Sequence, residues 1–276
     1  MESTASIAKH RAIVAFVERA IVPIVGDCID SGGNRIAGAF GTGTLFRFNE
    51  RNFLVSAGHL FDDYERYSSC IGIPVGQLNA SIFTFDQCVL SRPEAEVDRK
   101  KYDIAIIELS KVISSEIEKN YTFLTPQNVG KVRPTNWYLS GFPYTYSRLL
   151  TGRNQVVGKP FRLMSYPKSV RPDAVIDYEP AVHILMESSN IHYADGVTPT
   201  GIASPAELQG ISGCSIWSYE DDDAPIWTAE KCLQVIAIQT GVSASGWIKG
   251  TRWAYVANAF KSIDPEISQS LQERMK

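Results

Sequence analysis

The chain of 276 residues lacks most of the features that would place it in several large classes. It has only five cysteines, Cys28, Cys70, Cys88, Cys214 and Cys232, an odd number with no C-x-x-C or other paired spacing. That excludes a disulfide framework and a zinc knuckle, and it predicts free thiols in a reducing compartment. No apolar run approaches the ~20 residues needed to cross a bilayer, and Met1-Glu2-Ser3-Thr4 has neither the charged nor the apolar segment of a signal peptide. The expectation is a cytoplasmic protein with no membrane partner. Net charge is -3, and the Lys and Arg residues are scattered rather than gathered into a patch, so nucleic acid is not an expected partner either. There is no internal repeat or low-complexity tract, and 44% hydrophobic residues suffice for a full core, which excludes disorder.

The apolar pattern predicts mostly short strands. Residues 5 to 22 are the exception, carrying Ile13, Phe16, Val17, Ala20 and Ile21 at helical spacing before Pro23 stops the pattern. From Ile36 onward, apolar runs alternate with turn residues, giving strand candidates at 36–40, 42–48, 53–57, 71–75, 80–85, 103–109, 137–140, 182–187, 215–218 and 235–240. Asn49-Glu50-Arg51-Asn52 reads as a hairpin turn, 111–119 as a helix, and Ile267, Leu271 and Met275 as one face of a final helix. Many short strands with turns between them predict an all-β barrel or sandwich. The polar, Pro-containing stretch 125–135 is the natural division, giving an N-terminal helix (1–22), a first lobe (23–130), a second lobe (131–260) and a C-terminal helix (261–276). The apolar stripe of the N-terminal helix predicts packing on the body, with partner contact through the N- or C-terminal helix as the alternative. The acidic run Glu220-Asp221-Asp222-Asp223 beside Pro225 reads as a solvated loop.

Three short stretches carry chemistry. In Gly210-Ile211-Ser212-Gly213-Cys214-Ser215 a serine stands in a small-residue turn ahead of an apolar strand, where the backbone approaches a ligand closely and successive N–H groups are available to an oxyanion. In Phe53-Leu54-Val55-Ser56-Ala57-Gly58-His59-Leu60 a β-rich run ends in small residues and a histidine, a ring held by a sheet yet free to act as a general base. In Tyr102-Asp103-Ile104-Ala105-Ile106-Ile107 an aspartate opens an intensely apolar strand; its carboxylate is costly to bury unless paired, and a histidine N–H suits it. Each alone is compatible with ordinary turn or strand-end chemistry.

Their order, His59, Asp103, Ser212, is the order of the chymotrypsin triad. The chain resembles the chymotrypsin-like (trypsin-fold) serine peptidases, in an intracellular, bacterial-type form. Ser56-Ala57-Gly58-His59-Leu60 is similar to the family's T-A-A-H-C, Asp103-Ile104-Ala105-Ile106-Ile107 to D-I-A-L-L, and Gly210-Ile211-Ser212-Gly213-Cys214-Ser215 to G-D-S-G-G-P. Gly41-Thr42-Gly43-Thr44-Leu45 is similar to the strand before the histidine segment in bacterial members. The resemblance spans roughly 24–260 and implies two six-stranded antiparallel barrels with the cleft between them. It further implies an endopeptidase acting on protein or peptide substrates without a cofactor, with His59, Asp103 and Ser212 catalytic and the N–H groups of Gly210 and Ser212 as the oxyanion hole.

Two positions depart from the family pattern. Ile211 stands where the family has an aspartate, so activation by an ion pair with a freshly cut N-terminus has no acceptor there, and the hole must be ordered by packing of Ile211 or by substrate. Leu60 replaces a disulfide cysteine, in keeping with a disulfide-free member. By the resemblance, Ser204, Pro205, Ala206 and Glu207 with Gln239, Thr240 and Gly241 wall the specificity pocket, and Gly250-Thr251-Arg252-Trp253 lies nearby. Glu207 is the one acidic candidate, and the composition of the pocket leans toward an apolar or small substrate residue. Two other readings stand beside this one, a nucleophile at Cys214 and a peptidase fold that binds without cutting. His183 and His192 have no Cys or carboxylate at ligand spacing, so no metal site is expected.

Overall fold

The computed structural model describes residues 4–29, 35–62, 71–75, 81–135, 137–144, 147–150, 155–158, 160–165, 175, 177–187, 192–193, 208–219, 227–243 and 246–275. Helix α1 (Thr4–Arg19) leads into strands β1 (Ile21–Ile29), β2 (Arg35–Phe48), β3 (Arg51–Ala57), β4 (Ile71–Val75), β5 (Ser81–Thr84) and β6 (Val89–Ser91). Helix α2 (Glu96–Tyr102), β7 (Ile104–Glu108) and α3 (Lys111–Glu118) complete the first half. The second half holds β8 (Trp137–Gly141), β9 (Ser147–Leu150), β10 (Gln155–Gly158), β11 (Phe161–Ser165), β12 (His183–Glu187), β13 (His192–Tyr193) and β14 (Ser215–Tyr219). It ends in α4 (Ala229–Cys232), β15 (Leu233–Val242), β16 (Trp247–Arg252), α5 (Trp253–Phe260) and α6 (Pro265–Arg274).

The strands form two curled antiparallel sheets, ordered β5-β4-β1-β2-β3-β7-β6 and β12-β16-β15-β14-β8-β11-β13, with β9 and β10 as a separate ribbon. The expected all-β architecture with terminal helices is therefore present. Among the described residues each sheet has seven strands where the resemblance implied six, with a short strand at one edge of each: β6, of three residues, and β13, of two.

Side chains alternate between the two faces of a strand, and here both faces are apolar. In β3, Phe53 and Val55 face a central core while Leu54 faces a core inside the first sheet; β7 divides in the same way, Ile104 and Ile106 against Ala105 and Ile107. In the second sheet Tyr138, Trp217 and Val235 face the central core, and Leu139, Ile216 and Ile236 face the interior of their own sheet. The central core is completed by Ile13 and Val17 of α1, Trp253, Val256 and Phe260 of α5, and Ile267 and Leu271 of α6. The terminal helices are thus part of what joins the two sheets.

The helix expected over 5–22 ends at Arg19, and Ile21 already pairs with Thr44 as the start of β1. Pro23 sits within that strand, paired with Thr42, at a level where β4 has not yet joined the other side, so its missing N–H leaves no ladder bond unmade. The two candidates 36–40 and 42–48 form the single strand β2, and the expected turn at Asn49 is present, with Asn49 at φ 52. The acidic run 220–223 lies outside the described residues. Among the described residues no helix is long and apolar enough to cross a membrane.

Phe260 packs against Phe46 at 5.7 Å and edge-on to Phe53 at 5.1 Å, in the core shared by both sheets. Phe260→Ala is expected to cost about 3–5 kcal/mol, read from the urea midpoint.

Candidate active site

The site is built at the seam between the sheets. Strand β3 ends at Ala57 and passes into a single 3-10 turn, Gly58–Phe61, anchored by the buried ring of Phe61. The turn is closed from behind by Arg92, which donates to the carbonyl of Phe61 at 2.9 Å and pairs with Asp62. His59 is thereby presented on a short, pinned turn with its side chain 43% exposed.

Asp103 is placed by a different device. It caps α2 in the left-handed conformation, φ 50 and ψ 48, which aspartate tolerates better than most residues, and its N–H donates to Arg99 O at 2.9 Å. Its side chain, 17% exposed, accepts two hydrogen bonds from one residue: His59 N–H to Oδ1 at 2.7 Å and the His59 ring at Nδ1 to Oδ2 at 2.7 Å. Against a carboxylate, Nδ1 is the donor, so in the neutral ring Nε2 is left as the basic nitrogen. Gly58 permits the approach, since a Cβ there would lie 3.1 Å from both the carbonyl carbon and Oδ1 of Asp103, while Gly58 N–H donates to Asp103 O at 2.8 Å. Burial pulls the His59 imidazole toward its neutral form, but the hydrogen bond and charge of Asp103, aided by Asp62 and opposed by Lys249, hold its pKa above the ordinary histidine value.

The serine turn is held against these elements by the first sheet. Thr42 N–H donates to Ser212 O at 2.7 Å, Thr42 Oγ1 to Gly210 O at 3.4 Å and Thr44 Oγ1 to Gly213 O at 3.3 Å. Gly213 has φ 90, and a Cβ there would fall 2.0 Å from Thr42 O, 2.1 Å from Ser56 Oγ and 3.0 Å from Ala57 N. The turn therefore presses on the end of β3, two residues ahead of His59. The Ser212 hydroxyl has no hydrogen-bond partner among the described residues.

Three N–H groups of the turn have backbone partners. Ile211 N–H donates to Leu208 O, Gly213 N–H to Gln239 O and Cys214 N–H to Ile211 O, which leaves those of Gly210 and Ser212 without one among the described residues. Gly210 sits at φ 94 with Tyr144 N only 2.6 Å from where a Cβ would be. Two N–H groups two positions apart, beside a hydroxyl and without partners among the described residues, are suited to an anion. Ile211 is fully buried among Leu139, Leu208, Cys214 and Ile216 in the core of the second sheet. Of the two ways of ordering the turn raised by its sequence, packing of Ile211 is thus in place.

Of the expected pocket residues, Ser204, Pro205, Ala206 and Glu207 lie outside the described residues. Gln239 is buried, with neither side-chain oxygen nor nitrogen partnered among the described residues, Thr240 is buried beside Thr251, and Gly241 is half-buried at the bulge where β15 meets β16. Cys214 is fully buried and desolvation pushes its thiol pKa strongly up, so it is held as the inert thiol. His183 is buried with both ring nitrogens bonded to backbone, and the side chain of His192 is outside the described residues. Sequence reasoning missed Thr42 and Thr44 as the tether of the serine turn; the signal was a Gly-Thr-Gly-Thr alternation that buries hydroxyls at the centre of a sheet.

No protein-family model matches the chain, and no curated protein matches it in sequence. Among solved structures, the protease Anisep from Arthrobacter nicotinovorans is similar at 13% identity and a TM-score of 0.49, over 88% of this chain and 94% of that one. A structure from work on the coupled folding and binding of the intrinsically disordered Sesbania mosaic virus VPg protein is similar at 14% identity and a TM-score of 0.44, over 86% of this chain and 88% of that one. Neither likeness carries weight at these values, and the functional reading rests on the residues described above.

The pairing of His59 with Asp103 is open to direct measurement. An NMR titration is expected to place the His59 pKa above the ordinary value of about 6.5, and Asp103→Asn is expected to lower it. Gly213→Ala, which forces a side chain into the Thr42 carbonyl at a left-handed backbone, is expected to destabilise the fold by roughly 1–3 kcal/mol in urea.

Proposed function

We propose that the chain is a serine-type endopeptidase with His59, Asp103 and Ser212 as its triad. The observation that carries the reading is the double hydrogen bond from His59 to Asp103, both at 2.7 Å, which fixes the ring with Nε2 as the base at the seam where the serine turn is docked. In the mechanism Ser212 Oγ attacks the peptide carbonyl carbon as its proton passes to His59 Nε2. Asp103 stabilises the imidazolium, and the N–H groups of Gly210 and Ser212 hold the oxyanion. The imidazolium then gives its proton to the leaving amine as the C–N bond breaks, and water, deprotonated by the same nitrogen, hydrolyses the acyl-enzyme.

The packed Ile211 supports a turn ordered by apolar contact, so activity on this reading needs no cleaved N-terminus and no ion pair at that position. A Cys214 nucleophile is disfavoured by the burial of its sulfur. The non-cutting reading is disfavoured by the N–H groups of Gly210 and Ser212, which have no partner among the described residues.

The test is hydrolysis of an unfolded protein such as casein by the purified chain. Ser212→Ala is expected to lower kcat/KM by roughly 10^3-fold or more, and Asp103→Asn by about 10^4-fold, the scale of such changes in triad enzymes. Because the base must be neutral and Asp103 raises its pKa, kcat/KM is expected to fall as pH drops through a value above about 6.5. Parental rates in Ser212→Ala would overturn the reading.

A further inference from the structure

Asp103 follows the last residue of α2, and a helix end leaves carbonyls without intrahelical partners. Here the carbonyl of each residue from 101 to 103 is taken by a group from outside the helix. Asp103 O accepts from Gly58 N–H within the first sheet. The two before it are held from the second sheet: His183 Nε2 lies 2.9 Å from Lys101 O, and Thr251 Oγ1 donates to Tyr102 O at 2.6 Å. His183 and Thr251 are direct partners across β12 and β16, so one cross-strand pair grips two consecutive carbonyls of the residues leading into Asp103.

The geometry fixes the chemistry of the grip. His183 Nδ1 accepts from Glu179 N–H at 3.0 Å, so the ring proton must be on Nε2, where it is donated to Lys101 O. His183 is 1% exposed, and burial pushes its pKa down. Residues 101 and 179 are locked a second time by the Lys101–Glu179 ion pair at 2.7 Å. Arg252 closes the other side, donating to His183 O at 3.3 Å and Pro180 O at 3.0 Å. Thr240, among the residues expected to wall the substrate pocket, lies with its hydroxyl 3.4 Å from that of Thr251.

We propose that His183 and Thr251 are positioning residues: by holding the carbonyls of Lys101 and Tyr102 they set the left-handed backbone at Asp103 and so the carboxylate that orients His59. The proposal deepens the triad reading and rests on it, but its first readout, the titration of His59, does not depend on activity.

The experiment compares the full-length parent with Thr251→Val, which is nearly isosteric and lacks the donor, Thr251→Ser, which keeps it, and His183→Phe. Thr251→Val is expected to move the His59 NMR titration toward the ordinary histidine value and to lower kcat about ten- to a hundred-fold with KM little changed, the cost of a small misplacement of a catalytic group. Thr251→Ser is expected to restore both. Should His183→Phe fail to fold, the Thr251 pair decides. If Thr251→Val keeps the parental His59 titration while only its thermal midpoint falls, the residues are merely structural and the proposal is overturned. If the titration moves as expected but the parent cuts no peptide, the positioning stands and the peptidase reading falls.

Discussion

The arrangement depends on one carboxylate accepting two hydrogen bonds from a single residue. Asp103 is mostly buried, and a carboxylate there is costly unless its oxygens are paired. Both donors come from His59, one from its backbone and one from its ring, so the pairing satisfies the charge and fixes the ring in one act. This geometry requires a left-handed residue at 103, a glycine at 58 so that the two segments touch, and a 3-10 turn in place of a continuing strand at 58–61. Each is met by a residue suited to it.

The serine turn is imposed on this pair from the outside. It belongs to the second half of the chain, yet its carbonyls are held by threonines of β2 in the first sheet, and its far side is anchored by Ile211 in the core of the second sheet. A turn fastened to both sheets keeps its place only while the sheets keep theirs, and that is what the central core provides. Helices α1, α5 and α6 fill it, with Trp253 and Phe260 against Phe46 at 5.9 and 5.7 Å. The buried Ile211 makes the shape of the turn a matter of apolar packing.

What was legible in the sequence was local. His59, Asp103 and Ser212 each stand in a stretch whose small residues and flanking strand are visible within a few positions. Strand β1 was hidden because Pro23 reads as a stop, and its edge-like position on one side is set by where β4 joins. Strands β3 and β7 give apolar runs without a polar face because each is buried on both sides. Helix α2 has no buried residue to mark it, and α5 buries Trp253, Val256, Ala257 and Phe260 at helical spacing but carries Ala254, Tyr255 and Ala259 between them, so its sequence offers little polar contrast. The holds on the site were invisible for a further reason: Thr42 meets Gly210 across 168 positions and His183 meets Lys101 across 82, distances at which periodicity carries no information.

On the proposed triad, the hydroxyl of Ser212 is activated by His59. The measurement that meets it most directly is labelling of the folded chain with a fluorophosphonate, with the adduct located by peptide mass spectrometry. A single adduct on Ser212 is expected, lost when the chain is unfolded first and lost in His59→Ala. No adduct on Ser212, or one formed equally well without His59, would contradict it.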